Sequence, residues 1–397
     1  MAAYPSQLLI TLFLGLCVTA ALGFAVYLLT RLRRRPARVI TRSPGGAIVP
    51  HRDDVRSRRR KAAVLAVVVA IVGASFGGRH LVRAFYPSGE KLDVATARVR
   101  SVAGASGAQL AVVRMGSRDG PALVMTHGWG ADRGDWSYAV ARLPQGFDVV
   151  LWDLPGLGQS TAASDYSIPA LAADLERVVS SIGDKPVVLV GHSIGGILNL
   201  EYMRQFPDRA GRNVVGMVQV NTTYTNPIET KKNAERSRAL QKPVFEPLLK
   251  VVTVASPVAR ALGWLAYQSG LAHLQLATQS FAGAETWQQL DHMASYAYRS
   301  SPGVVARGVL AMLGWDGSDV LPMVKVPTLV IAGDRDTTTL SAASERMRRD
   351  IPAAEQVTIA HAAHLGPVEQ AELYAQAIAS FAKRAVGGKG AALAWGR

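Results

Sequence analysis

The chain has 397 residues, half of them hydrophobic, and a formal net charge of +15. Residues 31–61 hold twelve Lys and Arg against Asp53 and Asp54, a net of +10, so the other 366 residues carry only about +5. Charge this localised, without interleaved aromatics, argues against nucleic acid as a partner. The single cysteine, Cys17, excludes an intrachain disulfide and a cysteine-based metal site.

The first element is an uncharged run from Leu8 to Leu29. At 1.5 Å per residue it reaches about 33 Å, enough to cross a bilayer. It lacks the basic leader of a signal peptide, so the expectation is a transmembrane helix. A second apolar run follows at 62–78, bracketed by Arg58–Lys61 on one side and by Arg79 and Arg83 on the other. It is short for a span, but it is apolar on all faces. Residues 1–84 therefore read as a membrane anchor, with helices at about 8–29 and 62–78. The basic segment 31–61, holding Pro36, Pro44, Gly45, Gly46 and Pro50, reads as an irregular loop. If both runs span, the positive-inside rule puts that loop in the cytoplasm and the C-terminal domain on the outer face. If the second run does not cross, the domain is cytoplasmic.

From about residue 90 the pattern becomes an alternation of strands and helices. Residues 97–102 and 108–115 read as an opening strand pair. Apolar runs at 122–126, 147–152, 186–190, 214–220, 328–332 and 356–360 read as strands buried on both faces. Helical patterns at 135–142, 169–182, 195–206, 340–349 and 367–384 lie between them. Such alternation predicts an α/β fold with a mostly parallel sheet flanked by helices, spanning about 90–386. The interval 222–320 has no strand pattern. Its helical stretches at 244–262, 264–275 and 287–298 predict a helical lid over the carboxyl edge of the sheet. Trp264, Trp287 and Trp315 there serve either a lipophilic acyl pocket or plain packing of the lid on the body. Residues 387–397 read as a flexible tail.

The chemistry concentrates where the strand 186–190 runs into Gly191-His192-Ser193-Ile194-Gly195-Gly196 and then into a helix. A G-x-S-x-G turn between strand and helix leaves no room for side chains at the flanking glycines and pushes the serine hydroxyl outward. Serine is a weak nucleophile without an adjacent base held by a third group. Asp334 and Asp336 are candidate acids, and His361 and His364 candidate bases. No H-E-x-x-H, EF-hand or phosphate-cradling loop is present, so neither metal nor cofactor is expected.

Four further stretches follow the same order as motifs of the α/β-hydrolase family. Thr126-His127-Gly128-Trp129-Gly130 is similar to its H-G-x-x loop, and Asp153–Ser160 to its D-x-P-G-x-G-x-S turn. Pro327–Asp336 resembles its P-T-L-V-I-x-G-x-x-D strand, and Ala363–Glu369 its histidine loop. From about 95 to 385 the chain resembles that family. The resemblance implies Ser193 as nucleophile, Asp336 as the acid by its distance from Gly333, and His364 as the base by its distance from Glu369. It also implies an oxyanion hole from the backbone N–H groups of Trp129 and Ile194. Asp334 would then cap its loop or pair with Arg335, His361 would be structural, and His127 would brace the glycine loop. His192 would be a packing residue, and Asp153 and Ser160 would build a local turn. Family members that open epoxides or remove halides use aspartate at position 193, so serine points to acyl transfer to water. With the anchor, the expected substrate is a small hydrophobic carboxylic ester. The alternatives are another serine chemistry of the same fold (thioesterase, peptidase, carbon–carbon hydrolase or cofactor-free peroxidase) or a non-catalytic binding protein. The family's peroxidases often carry Met after the serine, and Ile194 departs from that.

Overall fold

The computed structural model describes residues 52–92, 98–230 and 233–388, with five scattered residues between 20 and 27. The run at 8–29 and the tail therefore lie almost wholly outside the described residues. Helix α1 runs from Arg52 to Arg83. It starts inside the segment read as an irregular loop, because no Pro or Gly interrupts residues 51–72 and the last breaker is Pro50. Its part Lys61–Arg83 is long and apolar enough to cross a membrane, and little of it is buried within the protein.

The body is an eight-stranded sheet. Its strands are β1 (Val99–Ala103), β2 (Gln109–Gly116), β3 (Ala122–Thr126), β4 (Asp148–Trp152), β5 (Val187–His192), β6 (Val214–Val220), β7 (Thr328–Gly333) and β8 (Ala354–Ile359). Their order across the sheet is β1-β2-β4-β3-β5-β6-β7-β8. Only the β1–β2 and β2–β4 pairs are antiparallel; the rest run parallel. The sheet is thus the mostly parallel one expected from the unbroken Val and Leu runs, and β3, β4 and β5 are buried along their whole length.

Alternation along each strand feeds two cores. Val124, Val150 and Leu189 face one cluster, which packs on helices α2 (Ile168–Ser180) and α3 (Ile194–Gln205). Leu123, Leu151 and Val188 face the other, under Tyr374 and Phe381 of the last helix (Ala371–Val386). Ser167 caps α2 by accepting from the Ala170 N–H, and Pro169 fits the first turn, where its missing donor costs nothing.

Between β6 and β7 the chain is helical: α4 (Ala234–Leu240), α5 (Glu246–Val254), α6 (Ser256–Gln268), α7 (Leu271–Gln279), α8 (Trp287–Arg299) and α9 (Pro302–Leu313). The stretch 244–262, expected as one helix, breaks at Ala255. Pro257 follows, and its ring cannot sit in a helix interior. Thr286 and Gln289 form a reciprocal capping box that starts α8. The three lid tryptophans are all engaged in packing. Trp287 stacks on His273, Trp264 meets Phe76 of α1, and the Trp315 indole donates to Glu201. Trp315 thus packs lid on body and Trp264 packs lid on α1, while Trp287 also lines a cleft.

Candidate active site

Ser193 sits at the sharp corner between β5 and α3, with φ 55° and ψ −117°. A side-chain-bearing residue there holds about 1–3 kcal/mol of backbone strain. The corner is closed by absent side chains. A Cβ on Gly191 would lie 2.2 Å from the Gly195 carbonyl carbon, and one on Gly195 would lie 2.5 Å from the Thr126 oxygen. The Ser193 N–H donates to Val220 O at 3.0 Å, and the Thr222 hydroxyl donates to Ser193 O at 2.5 Å. These bonds tie the corner to the end of β6. The amino terminus of α3 directly behind Ser193 favours negative charge.

Asp336 and His364 are brought together. The His364 Nδ1–H donates to Asp336 Oδ2 at 2.9 Å, which leaves Nε2 as the basic nitrogen. Asp336 also accepts from the Thr338 and Thr339 N–H groups at 2.7 and 2.9 Å and from the Thr339 hydroxyl at 2.7 Å. Burial pushes the Asp336 pKa up, but the His364 charge and these donors outweigh it and hold the carboxyl below its usual range. For His364, burial and the neighbouring His192 outweigh Asp336, and its pKa falls below the ordinary imidazole value. The base is thus neutral and ready to accept a proton. Ser193, Asp336 and His364 are all buried beneath the lid.

The histidine loop is fixed beside the serine corner by residues whose importance motif spacing does not show. His192 Nδ1 lies 2.7 Å from Asp135 Oδ2, and its Nε2 lies 2.9 Å from the His364 carbonyl oxygen. The ring thus bridges the glycine loop and the histidine loop. Asp135 also accepts the Gly128 N–H at 2.9 Å. Burial would raise its pKa, but His192 and that N–H drive it far down. His192 is therefore more than a packing residue. Its ring centroid lies 5.1 Å from that of His364, one residue along the chain from Ser193. Asn221, at φ 42°, is a second tie: its amide donates to Ala363 O and His364 O, and its oxygen accepts from Gly333 N and the Tyr374 hydroxyl. The only sequence signal for it is a polar residue directly after a buried strand.

The competing candidates lie elsewhere. Asp334 accepts from the Ala362 N–H at 3.3 Å rather than pairing with Arg335. Arg335 instead reaches His361 Nδ1 at 2.6 Å. His127 braces its loop by donating to Gly128 O and accepting from Leu154 N. Ser160 does build a local bond, to Asp153 O. Asp153 reaches further, forming a buried ion pair with Arg133 that pins the loop after the glycines. The Trp129 indole donates to Val305 O of α9 at 2.8 Å, so the lid clasps this loop directly. Neither the Trp129 nor the Ile194 backbone N–H donates to a protein acceptor among the described residues. A polar cleft of about 560 Å³ opens near Arg83, Arg133, Trp287 and Arg299, but none of the three site residues lines it.

Residues 121–371, well over half of the chain, match the alpha/beta hydrolase fold family, and the chain belongs to that family. A thermophilic esterase from Thermogutta terrifontis has the same fold, with a TM-score of 0.59 and 23% identity over 73% of this chain and 99% of the esterase. The 3-oxoadipate enol-lactonase 1 of Acinetobacter baylyi is 25% identical over 70% of this chain and 94% of its own length. An uncharacterized Mycobacterium tuberculosis protein is 36% identical over 97 residues, which is 24% of this chain and 28% of that relative.

Proposed function

We propose that this protein is a membrane-anchored serine hydrolase that cleaves a hydrophobic carboxylic ester. The observation that carries the reading is the His364–Asp336 pair, held by His192 and Asn221 against the Ser193 corner. In the proposed cycle, His364 Nε2 takes the proton of the Ser193 hydroxyl as Oγ bonds to the ester carbonyl carbon. The oxyanion lies against the Trp129 and Ile194 N–H groups, which have no protein acceptor among the described residues, as the role requires. Collapse breaks the bond to the alkoxy oxygen, and the alcohol leaves with the proton from His364. Water, deprotonated by the same nitrogen, then releases the acid from Ser193. Asp336 holds the imidazole in the required tautomer and stabilises its charged form.

The substrate class follows from the anchor. A domain beside a spanning α1 meets esters dissolved in the bilayer before those in water, and an esterase and an enol-lactonase are among its relatives. With the run at 8–29 as a second span, the basic segment lies inside and the catalytic domain outside. A C-terminal alkaline-phosphatase fusion is then active; an inactive fusion places the domain in the cytoplasm. A fluorophosphonate probe labels the wild type and not Ser193→Ala, and the variant loses activity on medium-chain p-nitrophenyl esters by a factor on the order of 10⁶. Labelling that survives the substitution, or a sharp preference for acetate esters, overturns the assignment.

A further inference from the structure

Lid helices α5 and α6 meet at Ala255, where the segments Ala234–Val254 and Ser256–Gln268 are bent by 99°. Together they are as apolar as a broken membrane span. Their inner face is accounted for: Leu249, Val252 and Ala259 are buried in the core. The outer face is apolar as well. Val251 is 59% exposed, Val254 86% and Val258 63%, with Leu248 on α5 and Val244 just before it also exposed. Leu248, Val251 and Val254 fall at helical spacing on one face of α5, and Val258 stands exposed just past the break at Ala255. A soluble lid needs a polar outer face, and contiguous exposed valines mark a surface that meets another apolar phase.

The neighbouring element identifies that phase. Helix α1 docks on α6 and α7 through its carboxyl-terminal end. Phe76 meets Trp264 with ring centroids 5.9 Å apart, and Arg79 donates to the Tyr267 hydroxyl at 2.6 Å. Gly78 and Gly270 let the backbones touch: a Cβ on Gly78 would lie 2.3 Å from Ser269 O. From Trp264 back to Val254 is about 15 Å along a helix path, so the valine bend lies within reach of the bilayer that α1 enters. Charge is distributed to match. Residues 251–259 contain no charged side chain, and Lys250 and Arg260, both exposed, bracket them. Such flanking cations extend toward lipid headgroups while the segment between enters the hydrocarbon boundary.

We infer that the α5–α6 bend is a lipid-embedded elbow, so that the lid over Ser193 rests in the leaflet beside α1. The inference rests on the spanning reading of α1 and not on the hydrolytic reading. The elbow gives an apolar substrate a path from lipid to lid without crossing water.

The test uses the full chain in liposomes of mixed zwitterionic and anionic phospholipids, with Cys17→Ser removing the native thiol. A bimane label is placed in turn at Val254→Cys, at Val69→Cys in α1, and at Leu373→Cys on the final helix. Spin-labelled acyl chains are expected to quench the Val254 and Val69 labels several-fold more than the Leu373 label, and aqueous iodide the reverse. If Val254 behaves like Leu373 while Val69 is lipid-quenched, the elbow is wrong and the anchor stands. If neither is lipid-quenched, anchor and elbow both fail. If Val254 labels self-quench in dilute reconstitution without lipid quenching, a second copy covers the valines and the lipid assignment is overturned. The same measurements on Ser193→Ala are expected to be unchanged, which separates this result from any failure of the hydrolase reading.

Discussion

The carboxyl edge of the sheet and the outer face of the lid treat their side chains in opposite ways. At the sheet edge, buried polar groups around Ser193, Asp336 and His364 are bonded into one connected set, and glycines are forced where a methyl would collide. On the lid, Val251, Val254 and Val258 stand mostly open among the described residues. The first arrangement fixes atoms to a fraction of an ångström, as bond-making requires. The second fixes only a preference for a medium. Geometry therefore belongs to the sheet edge, and the inferred contact with lipid to the lid.

Substitutions at matched positions sharpen that contrast. The largest effect is expected at the site. Asp336→Asn loses the acceptor that sets the His364 tautomer, and kcat falls by about 10⁴. Asp334→Asn keeps most of the activity, since among the described residues the Asp334 carboxylate accepts only from the Ala362 N–H; equal losses in steady-state kinetics would discredit the choice between them. Next in size, Leu151→Ala empties a fully buried position under the last helix and costs about 2–5 kcal/mol in denaturant unfolding. Val254→Ser, measured in detergent, stays within about 0.5 kcal/mol of wild type. A large loss there means that the elbow is packed within the protein after all. The smallest effect is on titration. The neutral form of His364 is the active one, so kcat/KM holds above its pKa and is lost as pH falls through it. Burial and His192 place that limb below the ordinary imidazole value. His192→Asn removes one of the lowering influences, and the limb moves to higher pH. A pH profile that stays put, or moves down, removes His192 from any part in setting the base.

Most of the sheet was legible because buried parallel strands leave unbroken Val and Leu runs. The expected 122–126 and 214–220 match β3 and β6 residue for residue. The serine corner was legible because its glycines answer to local sterics. What could not be read depends on chain segments far apart. Asp135 and His192 are 57 residues apart and His192 and His364 are 172 apart, and no spacing rule connects them. The same holds for Trp315, whose indole finds Glu201 across the body. The break at Ala255 was different. Pro257 was visible, but the apolar pattern on both sides of it read as one helix.

One more bond set ties the two regions together. Glu369, five residues past His364, accepts the Ala282 and Ala284 N–H groups, and the Leu365 N–H donates to Ser280 O. The loop between α7 and α8 is thus latched to the segment carrying the imidazole. Lifting that part of the cover pulls on the base, and the two cannot be adjusted separately. Whatever loosens the latch also loosens the loop that carries the imidazole.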